Sequence, residues 1–182
     1  MNPGGRRAAR ERAVCLLYEA EAKDLAPAQL LAELPAAPEP FAAELVSGVG
    51  EHADRIDAMI GRLAVGWSLA RMPAVDRNVL RVGVYELLAC SEVPTAVVIS
   101  EAVELAKQYS TEESGRWVNG ILGGAASELR PAAVAGVAAV AGVAGSVGVG
   151  GPAAPGDPDL SGYHESVAGD VPVQIEGGAD AP

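Results

Sequence analysis

Apolar residues recur at helical spacing along the first part of the chain, and no stretch of useful length alternates as a strand would. The first such segment, Arg6–Ala22, places its apolar positions on one helical face. These positions are Ala9, Ala13, Leu16, Leu17 and Ala20. Lys23–Asp24 and Pro27 end the segment. The pattern predicts an amphipathic N-terminal helix.

The same spacing predicts two further helices before residue 70. A short helix spans Gln29–Glu33 and is ended by prolines. A long helix runs from about Pro40 to Val65, and Gly48–Gly50 predicts a kink or break within it. Its core side is marked by Leu45, Val49, Ile56, Ile60 and Leu63.

Three more helices complete the pattern. Ala74–Cys90 follows Pro73, which is tolerated at a helix start. Its inward positions are Val75, Val79, Val82 and Leu87. Thr95–Tyr109 follows Pro94, and its Glu104 and Lys107 are spaced to pair across one turn. The last helix opens with a capping box, Ser110 followed by Glu113, and ends at Leu129. The chain is therefore predicted to be all-α, a compact bundle of about seven helices.

The composition changes near Arg130–Pro131. Residues 1–130 form the predicted helical domain, whereas residues 131–182 are Ala/Val/Gly low complexity followed by an acidic, Pro- and Gly-rich end. We expect this tail to be disordered because it holds too little large apolar surface to offset chain entropy. The uncharged run Ala132–Gly151 lacks Leu, Ile and aromatic anchors, which disfavours a membrane span. No signal peptide is recognised, and a cytoplasmic protein is expected.

Charge is distributed unevenly along the chain. The formal net charge is −11, which argues against a general nucleic-acid binder. All 13 basic residues lie in residues 1–130, and residues 131–182 contain six acids and no Lys or Arg. Within Arg6–Arg12, four arginines accompany the single acid Glu11. The sequence therefore predicts a basic tip on an acidic body.

Residues suited to catalysis or metal binding are scarce. Cys15 and Cys90 lack metal-ligand spacing and are interpreted as small core residues in a reducing cytosol. His52 and His164 are the only histidines, and no nucleophile elbow, P-loop or zinc-binding motif occurs. We expect no enzyme activity, no cofactor and no metal.

The first candidate binding site is the arginine cluster of the N-terminal helix. Arg6, Arg7 and Arg10 fall within roughly a 100° arc of the helix. Guanidinium groups match phosphate oxygens, so the cluster is suited to a phosphate-binding ridge. A solvated basic helix end explains the same pattern, and composition alone does not separate the two interpretations.

The second candidate is the beginning of the last helix. Arg116, Trp117 and Asn119 lie there within about one turn. A partly exposed Trp117 beside an arginine can stack on an unpaired base. The alternative is that Trp117 belongs to the core, and that Asn119 bonds only the backbone.

Three sequence blocks resemble the NusB family of transcription antitermination factors. The first runs from Arg6-Arg7-Ala8-Ala9-Arg10 to Leu17-Tyr18. The second is Arg71-Met72-Pro73-Ala74-Val75-Asp76-Arg77, continuing to Tyr85-Glu86-Leu87. The third begins at Val93-Pro94 and reaches Trp117-Val118-Asn119-Gly120-Ile121-Leu122. Together they cover residues 6–129 in the family's order.

The resemblance implies both a fold and a function. The implied fold has two three-helix halves, and the implied function is binding of single-stranded boxA RNA in ribosomal RNA transcripts. The implied partners are NusE, a small-subunit ribosomal protein, and the antitermination complex on RNA polymerase. Carried over by motif, the RNA-binding residues are Arg6, Arg7, Arg10, Glu113, Ser114, Arg116, Trp117 and Asn119. The residues implied for the partner surface or its border are Tyr18, Asp76 and Arg77.

Several positions depart from the family pattern, and two alternatives stay open. Cys15 stands where the family usually has Gln, Ser100 where Asn or Asp is common, and Trp117 where Phe or Tyr is usual. One alternative is a structural homodimer. The other is the NusB-like module of ribosomal RNA cytosine methyltransferases, which would need a catalytic domain that residues 131–182 do not supply.

Overall fold

The computed structural model describes the backbone of residues 3–132 and the side chains of residues 5–132. The helices in this range are α1 (Pro3–Ala22), α2 (Pro27–Glu33), α3 (Pro40–Glu51), α4 (Ala53–Leu63), α5 (Ala74–Ala89), α6 (Thr95–Tyr109) and α7 (Glu112–Leu129). A 3₁₀ turn at Leu69–Arg71 precedes α5, and no strand occurs among the described residues. The predicted all-α bundle is confirmed. The predictions of a disordered tail and of the membrane alternative concern residues that lie outside this range almost entirely.

The helices pack as two groups that share one core. Helices α1, α2 and α3 contact one another, and α5, α6 and α7 form the second group. Helix α4 packs on α5 and α7, and both α1 and α3 also contact α5. This agrees with the expected three-helix halves and places α5 at the centre of the molecule.

Most apolar positions that the periodicity assigned to the core are buried. On α1 all five predicted positions are enclosed, and Leu16 and Ala13 are fully inaccessible. Leu63 on α4 and Val75 on α5 are only half-buried and pack against the edge of the core. Of the two cysteines, Cys90 is buried as predicted, whereas Cys15 is exposed, so its assignment to the core is wrong.

The break in the predicted long helix occurs at His52 and not at the glycines. Helix α3 continues through Gly48 and Gly50 to Glu51. At His52 the backbone turns (φ −111°, ψ 15°), and its ring Nδ1 lies 3.0 Å from the carbonyl oxygen of Gly48. Gly48 instead permits close packing, because a Cβ there would lie 1.9 Å from a ring atom of Tyr85.

The N-terminal cap of α7 lies one residue later than the sequence pattern predicted. The capping side chain is Thr111, whose hydroxyl accepts from the backbone N–H of Ser114 at 3.0 Å. Ser110 is the C-terminal cap of α6, and its hydroxyl lies 2.9 Å from that of Ser114. The predicted pairing of Glu104 with Lys107 is present at 3.7 Å. Among the described residues, no helix is both long and apolar enough to span a membrane.

Candidate functional site

Two arginines at the beginning of α1 remain accessible. The side chains of Arg6 and Arg7 are half-exposed. The guanidinium carbon of Arg6 lies 5.3 Å from the centroid of the Phe41 ring, a distance at which a cation is attracted to the ring face. Phe41 is buried at the start of α3, so this contact holds Arg6 against the body of the protein while leaving part of it open to solvent.

Arg10 does not belong to this accessible surface, which corrects the predicted three-arginine ridge. It is only 3% exposed, and its Nε and Nη2 atoms donate to the two carboxylate oxygens of Glu86 at 2.8 and 2.7 Å. Glu86 lies on α5 and is 1% exposed. The side chain that was predicted to contact phosphate is thus committed to an interior ion pair.

The protonation of Arg10 follows from this pairing. Burial alone would lower its pKa, but the hydrogen bonds and the charge of Glu86 act in the opposite direction and prevail. The pKa of Arg10 is therefore raised, and the side chain stays charged inside the protein. A helical wheel of α1 cannot reveal this partner, because Glu86 is 76 residues away in the sequence.

One flank of α1 meets the end of α6. With about 100° of rotation per residue, Arg7, Glu11 and Tyr18 project along the same flank. The hydroxyl of Tyr109, the last residue of α6, donates to the Glu11 carboxylate. This hydrogen bond, together with burial, raises the pKa of Tyr109 to about 12. The bond therefore links α1 to the end of α6, and α7 begins two residues after the α6 cap.

The α7 head, residues 112–120, has a polar exposed face and a buried one. Glu113, Arg116 and Asn119 are exposed. Ser114 and Trp117 were predicted to contact RNA with them, but they are 1% and 5% exposed. The periodicity of the helix turns these two residues inward, so the structure separates the predicted set into a surface half and a core half.

Trp117 packs against a second tryptophan. The ring centroids of Trp117 and Trp67 are 6.0 Å apart, a spacing typical of aromatic pairs, and the ring planes are tilted by 56°. Trp67 is half-buried in the connection that follows α4. The core interpretation of Trp117 therefore agrees with the structure, and the expectation of a partly exposed stacking ring is wrong.

Asp76 is also buried, which corrects its assignment to a partner surface. It is inaccessible in the first turn of α5, where its Oδ2 accepts from the Ser114 hydroxyl at 2.8 Å. Its Oδ1 has no hydrogen-bond partner within the described part of the chain. Burial raises the pKa of Asp76, although hydrogen bonds from Ser114 and Ser110 oppose the shift. Asp76 joins the start of α5 to the start of α7.

The two other residues implied for the partner surface differ in accessibility. Tyr18 is half-exposed on α1. Arg77 has only 11% of its side chain exposed and donates to the carbonyl oxygens of Leu69 and Met72 at 2.7 and 2.8 Å. It also pairs with Glu21 at the end of α1. Arg77 thus fastens the 3₁₀ turn to α1, and Tyr18 is the accessible member of the set.

The resulting candidate site comprises two accessible polar segments, one on α1 and one on the α7 head. The predicted cations that are accessible are Arg6, Arg7 and Arg116, and Asn119 lies about one turn after Arg116. Glu11 and Tyr109 connect α1 to the end of α6 that precedes α7, and they were not predicted as site residues. The only signal for Glu11 was its position as the single acid among four arginines, and Tyr109 gave none. No group of three or more potential metal ligands occurs within residues 3–132.

Comparison with known sequences gives one family. A family model described as "NusB family" matches residues 7–127. The Transcription antitermination protein NusB of Salinispora arenicola is 51% identical over 125 residues, which cover 65% of this chain and 92% of the relative. The protein of the same name from Thermobifida fusca is 47% identical over 123 residues, with 65% and 87% covered.

Solved structures with a similar fold include two of this family. T. maritima NusB superposes with a TM-score of 0.64 at 37% identity and covers 71% of this chain and 96% of its own. A chain from a crystal structure of the antitermination factors NusB and NusE in complex with dsRNA superposes with a TM-score of 0.60 at 28% identity. That match covers 70% of this chain and 99% of the other.

Proposed function

This chain belongs to the NusB family of transcription antitermination proteins, and on that premise we propose that it binds single-stranded boxA-like RNA of ribosomal RNA transcripts. We propose further that it does so together with NusE and that the assembly joins RNA polymerase as an antitermination complex. The protein acts in this proposal as a binding adaptor in the cytoplasm, and no catalytic step is assigned to it.

The observation that carries the proposal is the accessible basic surface of α1. Arg6 and Arg7 remain open to solvent on a chain whose formal net charge is −11. Exposed guanidinium groups on an acidic body concentrate attraction for phosphate at one place. Arg116 and Asn119 extend the surface onto α7, where an amide can bond a base edge. A relative 28% identical in sequence has been solved with NusE and double-stranded RNA, which supports RNA and NusE as the partners.

We assign the NusE contact to the part of the α1 flank around Tyr18. Tyr18 is half-exposed about three turns beyond Arg7, so RNA and protein have separate positions along one helix. A half-exposed tyrosine offers apolar area and a hydroxyl, a combination common at protein interfaces. Arg77 is bound to the end of α1 through Glu21, and Asp76 is buried against Ser114, so neither is part of the proposed contact.

The test is a titration of labelled boxA-like RNA at several salt concentrations. Arg6, Arg7 and Arg116 would make three phosphate contacts on a single strand, which imply a slope of log affinity against log salt of about −2. Each lost contact reduces the magnitude of the slope by about 0.7. Arg7→Ala is expected to reduce the slope by that amount. Arg55→Ala is the matched control, because Arg55 is an exposed arginine of α4 and its loss changes the net charge equally.

Equal slopes for Arg7→Ala and Arg55→Ala would reject the α1 site. The competing proposal is a structural homodimer. It predicts that the mass of the protein in solution does not change when RNA is added. Under our proposal, RNA and NusE each add their own mass to the complex, which light scattering measures directly.

A further inference from the structure

Arg10 lies in the same arc of α1 as the accessible arginines but points into the protein. Its bidentate contact with Glu86 matches the planar fork of the guanidinium to both carboxylate oxygens. Both side chains are almost completely enclosed. A second carboxylate, that of Glu101 on α6, adds to the negative potential at Arg10. The Glu101 Oε2 atom is itself buried without a hydrogen-bond partner among the described residues.

Withdrawal of Arg10 from this site would leave Glu86 charged and unpaired in the interior. Removing one partner of a buried pair is strongly destabilising, because the remaining charge keeps its desolvation cost. The α5 backbone at Glu86 is held as well, since its carbonyl oxygen accepts from Arg130 at 2.6 Å. Arg10 is therefore fixed from the α5 side and is not available to an RNA phosphate.

Arg10 and Arg6 contact the same aromatic ring. The guanidinium carbons of Arg10 and Arg6 are 5.6 and 5.3 Å from the centroid of the same Phe41 ring. Phe41 begins α3 and is buried. A continuous series of contacts thus runs from Glu86 through Arg10 and Phe41 to the accessible Arg6.

We infer that Arg10 is a positioning residue, which through Glu86 and Phe41 holds the first two turns of α1 so that Arg6 and Arg7 present their charges to RNA. This inference rests on the proposed function for its RNA readout. The structural part, that the ion pair immobilises the beginning of α1, can be measured without RNA.

The experiment compares three variants with the natural full-length chain. Arg10→Met removes one partner of the pair, and Arg10→Met/Glu86→Leu replaces both with apolar side chains of similar size. The double variant keeps the formal net charge, since one positive and one negative charge are lost together. Arg7→Ala represents a direct contact. Amide hydrogen exchange of residues 5–9, the melting temperature and the RNA salt slope are measured for each.

We expect Arg10→Met to lower the melting temperature by about 10 °C, to increase exchange in residues 5–9 and to weaken RNA binding. In the double variant, exchange protection and RNA affinity should return toward the natural values, because apolar pairs commonly replace buried ion pairs without loss. Its salt slope should equal that of the natural protein, whereas Arg7→Ala should lose about 0.7. If Arg10→Met does not fold, the slope of the double variant still decides whether Arg10 contacts phosphate itself.

The inference would be overturned by a double variant that folds but whose slope of log affinity against log salt is smaller in magnitude by about 0.7, because Arg10 would then contact phosphate itself. The inference would also be overturned if the amides of residues 5–9 exchanged as slowly in Arg10→Met as in the natural protein. Failure of the proposed function is recognised separately, since it appears as an unchanged slope in Arg7→Ala while the exchange result for Arg10→Met still stands.

Discussion

Trp117 contributes to the site from below its surface. Its ring is enclosed against Trp67, while its neighbours Arg116 and Asn119 stay exposed on the same helix. In this structure, any contact of the α7 head with a ligand is therefore made by polar groups, and no aromatic ring of the head is available for stacking. Trp117 fixes the orientation of the helix that carries those groups.

Asp76 gives a prediction for the pH dependence of stability. Burial raises its pKa in the folded protein above that of the unfolded chain. Such a carboxyl contributes stability that is complete below the unfolded pKa of about 3.9 and is lost as the pH rises through the folded pKa. Asp76→Asn carries no charge at any pH. We expect its melting temperature to rise relative to that of the natural protein between about pH 4 and pH 7.

The measurement is thermal unfolding followed by circular dichroism across that pH range. Asp54→Asn is the control, since Asp54 is an exposed acid in the first turn of α4. If the melting temperatures of Asp76→Asn and the natural protein differed by the same amount at every pH, the pKa of Asp76 would not change on folding.

At the scale of helices, the sequence pattern located most elements within a few residues. The bounds predicted for α6 are those observed, and α5 ends one residue earlier than predicted. These helices are delimited by Pro73 and Pro94, whose local effect does not depend on distant contacts. The break at His52 carries no comparable breaker residue. The His52 ring lies 5.8 Å from that of Tyr85 on α5, a contact that a local pattern does not contain.

The site was predictable only in part for the same reason. Arg6, Arg7, Arg116 and Asn119 were identified by type and are accessible. Arg10 and Asp76 are also charged residues, but they are buried against partners 76 and 38 residues away. Helical spacing specifies the direction of a side chain from its own axis, not which other helix lies there.

The packing of α3 on α5 gives a second prediction about stability. A Cβ at Gly48 would lie 1.9 to 2.3 Å from three atoms of the Tyr85 side chain. Gly48→Ala should therefore destabilise the protein by roughly 1–3 kcal/mol, the usual cost of overpacking. Gly123 on α7 is the matched control, because nothing lies within 4 Å of its added Cβ.

Gly123→Ala should instead stabilise the protein by about 0.5–1 kcal/mol, since alanine has less backbone freedom to lose in a helix. Urea unfolding of both variants gives the two free energies. Stabilisation by both variants would show that helix propensity, and not contact with Tyr85, determines the outcome at Gly48.

At the scale of the whole molecule, Arg130 closes the described fold. Its guanidinium donates to the carbonyl oxygens of Glu86, Leu87, Cys90 and Val93 at 2.6 to 2.8 Å. The carbonyls of Glu86 and Cys90 also accept from the backbone N–H groups of Cys90 and Val93, so Arg130 adds a charged donor to the end of α5 and the connection that follows it. We propose that the folded unit ends here and that residues 131–182 add nothing to its stability.

Arg130→Ala should lower the free energy of unfolding by roughly 2 kcal/mol or more, because several carbonyl groups lose a charged donor. A chain that ends at Ala132 should melt at the same temperature as the full-length protein. Differential scanning calorimetry of both tests the boundary. A marked fall in the melting temperature of the shortened chain would move the boundary beyond residue 132.

The ion pair between Arg10 and Glu86 also orders events in time as the chain is made. Glu86 is synthesised 76 residues after Arg10. At about 5–20 residues per second, Arg10 waits roughly 4–15 s for its partner. A charged guanidinium is not buried alone, so α1 cannot dock in its final position during that interval. Among the described helices, α1 is made first but is consequently fixed only after α5 has been made.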